Sequence, residues 1–338
     1  LLRGAPGVPP SMTAPREIEL KLVLAEGEAA RVPQAIPMAG LARRRQRFVA
    51  YYFDTPDRAL ARARLGLRLR REGSRWRATL KAGGSAAAGL HDRPEWEFPA
   101  AGPTLDLSRF AATPLADLPD AGALHGRLAT VLATEFVRTA WIVEPQPGCR
   151  LEVALDVGRL LAGGREARIE EVEIELPEGP ASAAFDLAEA LAAGIAMRPE
   201  PASKLARGLA GGDSPRRLPL RAERVDLSPP GGDPRAAARI AVAAALAQAQ
   251  ANEAGVLASA DVEFVHQLRV SLRRLRSALR LFAGVIDPAD SAPFAADLRW
   301  AAGALGACRD WDVFVTVTLP QLLAAYGDGR PVPVEQRW

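Results

Sequence analysis

The sequence has few cysteines and no long hydrophobic run. Its two cysteines, Cys149 and Cys308, lie far apart and lack metal-ligand spacing, so neither a disulfide framework nor a zinc site is predicted. No stretch reaches the roughly 20 consecutive apolar residues of a membrane helix. The start of the sequence also lacks a basic segment followed by an apolar one. We therefore expect a cytoplasmic protein with no membrane partner.

A strong excess of charge of either sign is also lacking. The sequence contains 43 lysines and arginines against 40 acidic residues, and its formal net charge is +3. The overall charge therefore identifies no partner, and any anion site must be a local cluster. Arginine supplies most of the positive charge. That preference suits phosphate recognition, and a GC-rich genome would produce it equally well.

The pattern of residues divides the chain into two parts. At 338 residues the chain exceeds one ordinary domain, which has about 100 to 200 residues. From Glu17 to Leu176 apolar and charged residues alternate, as they do in strands with one apolar face. After Pro234 the composition favours helices. We predict an α+β domain over residues 12–210, a Gly/Pro-rich linker over 211–234 and an all-helical domain over 235–338.

Charges of the same sign gather on single faces of the predicted strands. In the segment Glu17 to Lys21, two carboxylates lie side by side opposite an apolar face. Another strand carries only acids on its charged face: Glu171, Glu173 and Glu175. Two others carry bases: Arg68 and Arg70, and Arg77 and Lys81. Neighbouring carboxylates repel each other unless a cation lies among them.

Two interpretations of these faces remain open at this point. A hard divalent ion such as Mg²⁺ or Mn²⁺ would balance the acids and bridge them to substrate phosphates, while bases neutralise the remaining phosphate charge. Alternatively, acids and bases form cross-strand ion pairs on an open, hydrated sheet. The alternation of residues is the same in both cases.

The order of these segments resembles the CYTH family, the triphosphate tunnel metalloenzymes. The hallmark of that family is Glu-x-Glu-x-Lys near the amino terminus, here Glu17 to Lys21. The later segments that carry the resemblance are Tyr52 to Asp57, Leu67 to Arg70, Trp76 to Lys81, Arg93 to Glu97, Arg138, Glu152 to Asp156, Glu171 to Glu175 and Ser203 to Gly208. The resemblance implies an eight-stranded antiparallel β-tunnel with flanking helices, with a triphosphate threaded through its charged interior.

The resemblance also implies roles for individual residues. The implied ligands of Mg²⁺ or Mn²⁺ are Glu17, Glu19, Asp156, Glu171 and Glu173, with Glu95, Glu97 and Glu175 as further contributors. The implied phosphate-binding residues are Lys21, Arg68, Arg70, Lys81, Arg138 and Lys204, with Arg77 and Arg207 as secondary candidates. The catalytic set would be Glu17, Glu19 and Lys21. The implied reaction is in-line attack by a metal-oriented water on a terminal phosphorus, which needs no Ser, Cys or His nucleophile.

A basic stripe marks the helical part of the chain. Its members follow helical spacing: His266, Arg269, Arg273, Arg276 and Arg280. No acid interrupts the sequence from Phe264 to Phe282, so the stripe lacks local ion-pair partners and is a candidate site for polyphosphate. The alternative is a solvated helix face that contacts acids elsewhere in the fold.

The same region resembles the CHAD family, a helical polyphosphate-binding module often fused behind CYTH domains. The resemblance is carried by the basic stripe and by the segment Leu305 to Val313, which contains Leu-Gly-x-x-Arg-Asp-x-Asp-Val. A full module has two helical halves, whereas this sequence ends after roughly one. The resemblance therefore implies a partial module.

Together the resemblances imply an inorganic triphosphatase that also binds longer polyphosphate. Two alternatives remain: a polyphosphate-binding protein without turnover, and an adenylate cyclase or thiamine triphosphatase that uses the same tunnel. Nucleic acid is not an expected partner, because the sequence lacks the aromatic platforms and the strong net basicity that are usual in nucleic-acid-binding proteins.

Overall fold

The computed structural model describes residues 15–35, 37–87, 89–211 and 218–326. The chain separates into two compact units that divide after residue 215. The first unit is β-rich and the second is all-helical. This division falls inside the segment predicted as a linker.

The strands of the first unit form a closed antiparallel barrel. In the described ranges they are β1 (Arg16–Leu24), β2 (Arg43–Asp54), β3 (Gly66–Glu72), β4 (Arg75–Lys81), β5 (Ser85–Ala87), β6 (Leu90–Ala100), β7 (Ala129–Gln146), β8 (Cys149–Ala162), β9 (Arg165–Glu178) and β10 (Met197–Pro199). Eight strands pair in the order β1-β9-β8-β7-β2-β3-β4-β6, and β6 pairs back onto β1. The short strand β5 pairs with β6, and the short strand β10 pairs with β1. The predicted eight-stranded tunnel is confirmed.

Short helices surround this barrel. They are α1 (Ala59–Arg62), α2 (Leu124–Arg127), α3 (Ser182–Ala192) and α4 (Lys204–Gly211). Single turns of 3-10 helix occur at Glu28–Ala30, Val32–Gln34, Leu107–Phe110 and Ala121–Ala123.

The apolar faces of the strands point outward and pack beneath the helices. On one side Leu20 of β1 and Val172 of β9 join a buried cluster with Leu187 of α3. On the other side Leu67 of β3 packs with Leu60 of α1. Because side chains alternate along a strand, an apolar exterior turns the charged faces inward.

Two local contacts hold α1 and α4 against strands of the barrel. The carboxylate of Asp54 accepts hydrogen bonds from the backbone of Leu60 at 2.9 Å and Ala61 at 3.2 Å, which anchors α1 to the end of β2. Helix α4 lies so close to β7 that a Cβ at Gly208 would stand 2.7 Å from a methyl group of Leu132. Glycine at that position therefore lets α4 bring Lys204 to the barrel.

The second unit consists of helices. Its elements are α5 (Pro234–Ala258), α6 (Glu263–Leu281), α7 (Pro288–Val313), a π-helical segment (Phe314–Thr318) and α8 (Leu319–Tyr326), preceded by a 3-10 turn at Pro230–Gly232. Asp233 and Asp287 cap α5 and α7 through their side chains, each followed by proline at the first helical position. None of the helices in the described ranges is both long enough and apolar enough to cross a bilayer.

Part of the predicted linker packs against α5 and α6. The backbone of Leu220 exchanges two hydrogen bonds of 3.0 Å with the side-chain amide of Asn252, which is fully buried. Arg274 donates to the carbonyl oxygen of Glu223 at 3.4 Å and to Gln248 at 2.7 Å. The segment is irregular in structure but hydrogen-bonded to the helical unit, and the exact domain limits remain a prediction.

Candidate active site: the charged interior of the barrel

The barrel encloses a charged cavity of about 210 Å³. The acids that line it are Glu17, Glu19, Glu72, Glu95, Glu97, Glu152, Glu173 and Glu175. The bases are Arg44, Arg68, Arg70, Lys81, Arg138 and Lys204. The structure thus places most of the predicted site residues inside one cavity, rather than on an open sheet.

Three buried carboxylates converge beside this cavity, and of the three Glu173 lines it. Asp156 of β8 and Glu171 of β9 face each other across the strand pair, and Glu173 lies two residues further along β9. Their ligand oxygens all lie within 4.8 Å of one another. Asp156 and Glu171 are completely buried. We call these three residues the acid triad.

Basic side chains balance the acid triad. The Lys204 ammonium lies 2.8 Å from Asp156 and 3.0 Å from Glu173 and also contacts Glu171. Arg138 binds both oxygens of Asp156 at 2.7 Å and contacts Glu173. Lys21 contacts Glu173 as well. Burial would raise the pKa of the Glu173 carboxyl, but Lys204, Lys21 and Arg138 outweigh it and hold that pKa well below its usual value.

The amino-terminal motif forms a second set of ion pairs. Lys81 lies 2.6 Å from both oxygens of Glu17, and Arg93 bridges Glu17 at 3.1 Å and Glu19 at 2.6 Å. Burial opposes ionisation of Glu17, yet Lys81 and Arg93 lower its pKa below the ordinary value. Glu17 and Glu19 line the cavity but stand outside the acid triad.

Arg93 was absent from the predicted site. It lies directly opposite Glu17 in the β1–β6 pairing. The alternation of Arg93, Glu95 and Glu97 indicated a shared face, but not which strand would lie beside it.

The arginines of β3 reach acids of β6 across β4, which lies between the two strands. Arg68 donates to Thr79 at 3.2 Å and lies 3.7 Å from Glu95. Arg70 lies 3.4 Å from Glu97, which Arg77 also contacts at 3.1 Å. Among the described residues, no protein partner accepts a hydrogen bond from the buried Nε atoms of Arg68 and Arg70. These donors can bind the oxygens of an anionic ligand.

The predicted site also missed an aromatic pair inside the barrel. Phe48 of β2 and Phe136 of β7 are opposite in register and stack with ring centroids 5.4 Å apart. The Arg70 guanidinium lies 5.1 Å from the Phe48 ring, and that of Arg138 lies 5.6 Å from it. The Lys204 ammonium lies 5.1 Å from the Phe136 ring. The pair therefore forms a platform for three cations.

Two like charges of the cavity lining lie side by side. Glu152 and Glu175 are opposite each other in the β8–β9 pairing. Burial raises the pKa of Glu175 to about 7, with Glu17 and Glu152 as the next causes. Arg44 also lines the cavity, although it was not among the predicted bases.

The other predicted residues, Arg207 and those of the α6 stripe, do not line the charged cavity. Arg207 of α4 contacts Glu171. On α6, Arg273 and Arg280 are exposed, whereas His266, Arg269 and Arg276 are partly buried. Arg269 donates to the Ala302 carbonyl oxygen at 3.2 Å. Within the described ranges, none of the four stripe arginines forms an ion pair with a carboxylate.

Comparisons with known proteins match both parts of the chain. A CYTH domain matches residues 15–209 and a CHAD domain matches residues 240–336. A relative from Haemophilus influenzae, named inorganic triphosphatase, is 36% identical over 180 residues, which make up 52% of this chain and 49% of the relative. The chain therefore spans about half the length of that curated relative.

Solved structures align with the same part of the chain. A Hippeastrum protein described as having a dominant triphosphatase activity aligns at a TM-score of 0.43 and 21% identity, covering 59% of this chain and 98% of that one. A Pyrococcus horikoshii protein aligns at a TM-score of 0.38 and 20% identity, covering 57% and 98%. Both TM-scores are low, so the assignment rests on the domain matches. Because the CYTH match spans more than half of the sequence, the chain belongs to the CYTH family, and a CHAD domain follows the CYTH domain in the sequence.

Proposed function

We propose that the barrel hydrolyses inorganic triphosphate with the help of Mg²⁺ or Mn²⁺. The observation that carries this proposal is the convergence of three buried carboxylates within 4.8 Å inside a closed barrel that also presents bases. The name of the Haemophilus influenzae relative supports an inorganic substrate.

The donor set suits a hard divalent ion. Asp156, Glu171 and Glu173 present oxygen ligands, which Mg²⁺ and Mn²⁺ prefer, and Lys204 shows that the triad accepts a positive charge. We assign the triad as the main ligands, with Glu17 and Glu19, which line the cavity together with Glu173, as further ligands. When bound, the ion would polarise a phosphoryl oxygen and lower the pKa of a bound water.

The basic side chains bind and orient the substrate. Arg68 and Arg70 have unpaired Nε donors, and Lys81 and Arg138 point into the same cavity. Fixed positive charges that already surround the phosphate chain stabilise the negative charge of the transition state at little reorganisation cost. Enclosure by the barrel strengthens these interactions, because it keeps bulk water from screening them.

Phosphate release from tripolyphosphate, with Mg²⁺ or Mn²⁺ present, tests the proposal. Glu173→Gln should reduce kcat at least about 100-fold. Glu178→Gln, an exposed change at the end of the same strand, should leave it unaltered. Equal rates for the wild type and Glu173→Gln would favour a protein that binds polyphosphate without turnover. ATP and thiamine triphosphate are run in parallel, and cyclic AMP formation would instead indicate a cyclase.

We also infer that the α6 stripe binds long-chain polyphosphate. The absence of ion pairs around its four arginines, among the residues that the structure describes, favours an external polyanion. Arg273→Ala/Arg280→Ala should weaken binding of long-chain polyphosphate, because both side chains are exposed. The control is Arg235→Ala/Arg239→Ala on α5, also exposed. Equal losses in the two double variants would remove the stripe from the proposal.

A further inference from the structure

A second cavity, of about 270 Å³, adjoins the charged tunnel. It is lined by residues that follow α1, including Arg64 and Leu65, and by Ser203 and Leu205 at α4. Its volume would hold several water molecules of about 30 Å³ each, so one phosphate ion fits. Arg64, which lines this cavity, belongs neither to the acid triad nor to the predicted substrate site.

The two cavities share a basic partition. Arg68, Lys81 and Lys204 line both of them. Lys204 also contacts all three carboxylates of the acid triad. A phosphate ion formed beside the triad would therefore lie one side chain away from the second cavity.

Among the described residues, the lining of the second cavity carries bases and no acid. The bases are Lys21, Arg64, Arg68, Lys81, Arg93 and Lys204. Most of them are paired with tunnel carboxylates, but Arg64 contacts no carboxylate in the described part of the chain. Its guanidinium donates to the Gly84 carbonyl oxygen at 3.1 Å. The cavity therefore keeps an uncompensated positive charge, which attracts anions.

The backbone holds Arg64 in an unusual conformation. Its φ of 58° lies in the left-handed region, which arginine rarely adopts. The backbone amide of Arg64 donates to Ala61 at 3.0 Å, and that of Leu65 donates to Leu60 at 2.8 Å, so the turn after α1 is fixed. Strained residues of this kind are concentrated at ligand sites. Here the strain places an exposed guanidinium at the rim of the cavity.

We propose that the second cavity is an orthophosphate site through which one product leaves the barrel. The inference rests on the proposed function. In that reaction a water oxygen bonds to the terminal phosphorus, the bridging P–O bond breaks, and tripolyphosphate and water give pyrophosphate and orthophosphate. Orthophosphate then binds Arg64 in the second cavity, while pyrophosphate leaves from the charged tunnel.

Titration of inorganic phosphate into the metal-free full chain tests the site without turnover. Arg64→Asn should weaken phosphate binding about tenfold, the effect of losing one charge-assisted hydrogen bond. Asparagine tolerates the left-handed backbone, so the fold should persist. Arg64→Lys should retain most of the affinity. The matched control, Arg62→Asn, changes an arginine of α1 that pairs with Asp57 and does not line the cavity. Equal affinity in the wild type and Arg64→Asn would overturn the proposal.

Product inhibition provides the second readout. With tripolyphosphate as substrate, orthophosphate should inhibit the wild type with a noncompetitive component that Arg64→Asn loses and Arg62→Asn keeps. Purely competitive inhibition in the wild type would place orthophosphate in the tunnel and overturn the proposal. A wild type that does not hydrolyse tripolyphosphate would refute the proposed function, whereas the titration would still report on the cavity.

Discussion

Lys204 places its ammonium among the three carboxylates of the acid triad, 2.8 Å from Asp156 and 3.0 Å from Glu173. Burial lowers the pKa of Lys204, but Asp156, Glu171 and Glu173 outweigh it and hold that pKa well above the usual value. The lysine is therefore charged and takes the position that the acids require for a cation. Removing one partner from such a buried network leaves uncompensated charge and costs about 3 to 5 kcal/mol.

Lys204→Gln should therefore make the fold depend on a divalent ion. In chelator the variant should unfold at a lower temperature than the wild type, and Mg²⁺ should raise its Tm more than it raises that of the wild type. Thermal unfolding with and without Mg²⁺ measures this difference. Arg198→Gln, an exposed change near α4, serves as the control. An identical Mg²⁺ response in both variants would show that the ion binds away from Lys204.

Glu175 should make stability depend on pH. Its pKa is raised from 4.5 to about 7, so the folded state favours the protonated carboxyl. The contribution of Glu175 to the stability of the fold is therefore complete below pH 4.5. It is lost as the pH rises through about 7 and the carboxyl ionises. The stability of Glu175→Gln relative to the wild type should therefore increase from pH 5 to pH 8. More than a third of the side chain is exposed, so solvent screening keeps the gain below about 1 kcal/mol. Urea unfolding in chelator checks this, and a gain that is the same at both pH values would contradict it.

At the scale of elements, pairing β2 with β7 creates the aromatic platform. Phe48 and Phe136 stack because they are opposite in register. From the sequence each looks like an ordinary apolar residue, since alternation assigns a face but does not identify the neighbouring strand. The ring of Phe136 lies 5.1 Å from Lys204 and 5.8 Å from Arg138, so it helps to hold two side chains of the site.

Phe136→Leu should raise the KM for tripolyphosphate more than it lowers kcat. Losing a cation–π contact of about 0.5 to 2 kcal/mol would raise KM by roughly 2-fold to 30-fold. Phe136→Tyr keeps the ring and should keep most of the affinity. Steady-state kinetics measure both constants, and Phe185→Leu on the partly exposed face of α3 is the control. If tyrosine and leucine had equal effects, the ring would not be orienting the cations.

At the scale of the whole molecule, the residue pattern alone predicts the charged faces, whereas the closure of the sheet was implied by the resemblance to the CYTH family. Alternation and the Glu17 to Lys21 motif indicated the fold and the acids. The pairing of β1 with β6, which closes the barrel and sets Arg93 against Glu17, joins strands far apart in sequence. Register across such a distance depends on packing around the entire barrel, so the partners of Arg93 could not be derived from local pattern.

The two compact units should separate the two proposed activities. Every described residue that lines the tunnel lies before residue 211, and three hydrophobic clusters of that unit are distinct from the cluster between α5, α6 and α7. A chain ending at residue 211 should therefore fold and hydrolyse tripolyphosphate with kcat within about twofold of the full chain, because domains with their own cores fold alone. It should lose binding of long-chain polyphosphate, which we assign to α6. Kinetics and polyphosphate binding on the same preparation measure both. If the shortened chain folded but lost hydrolysis, the helical unit would contribute to the active site itself, and the assignment of catalysis to the barrel alone would be wrong.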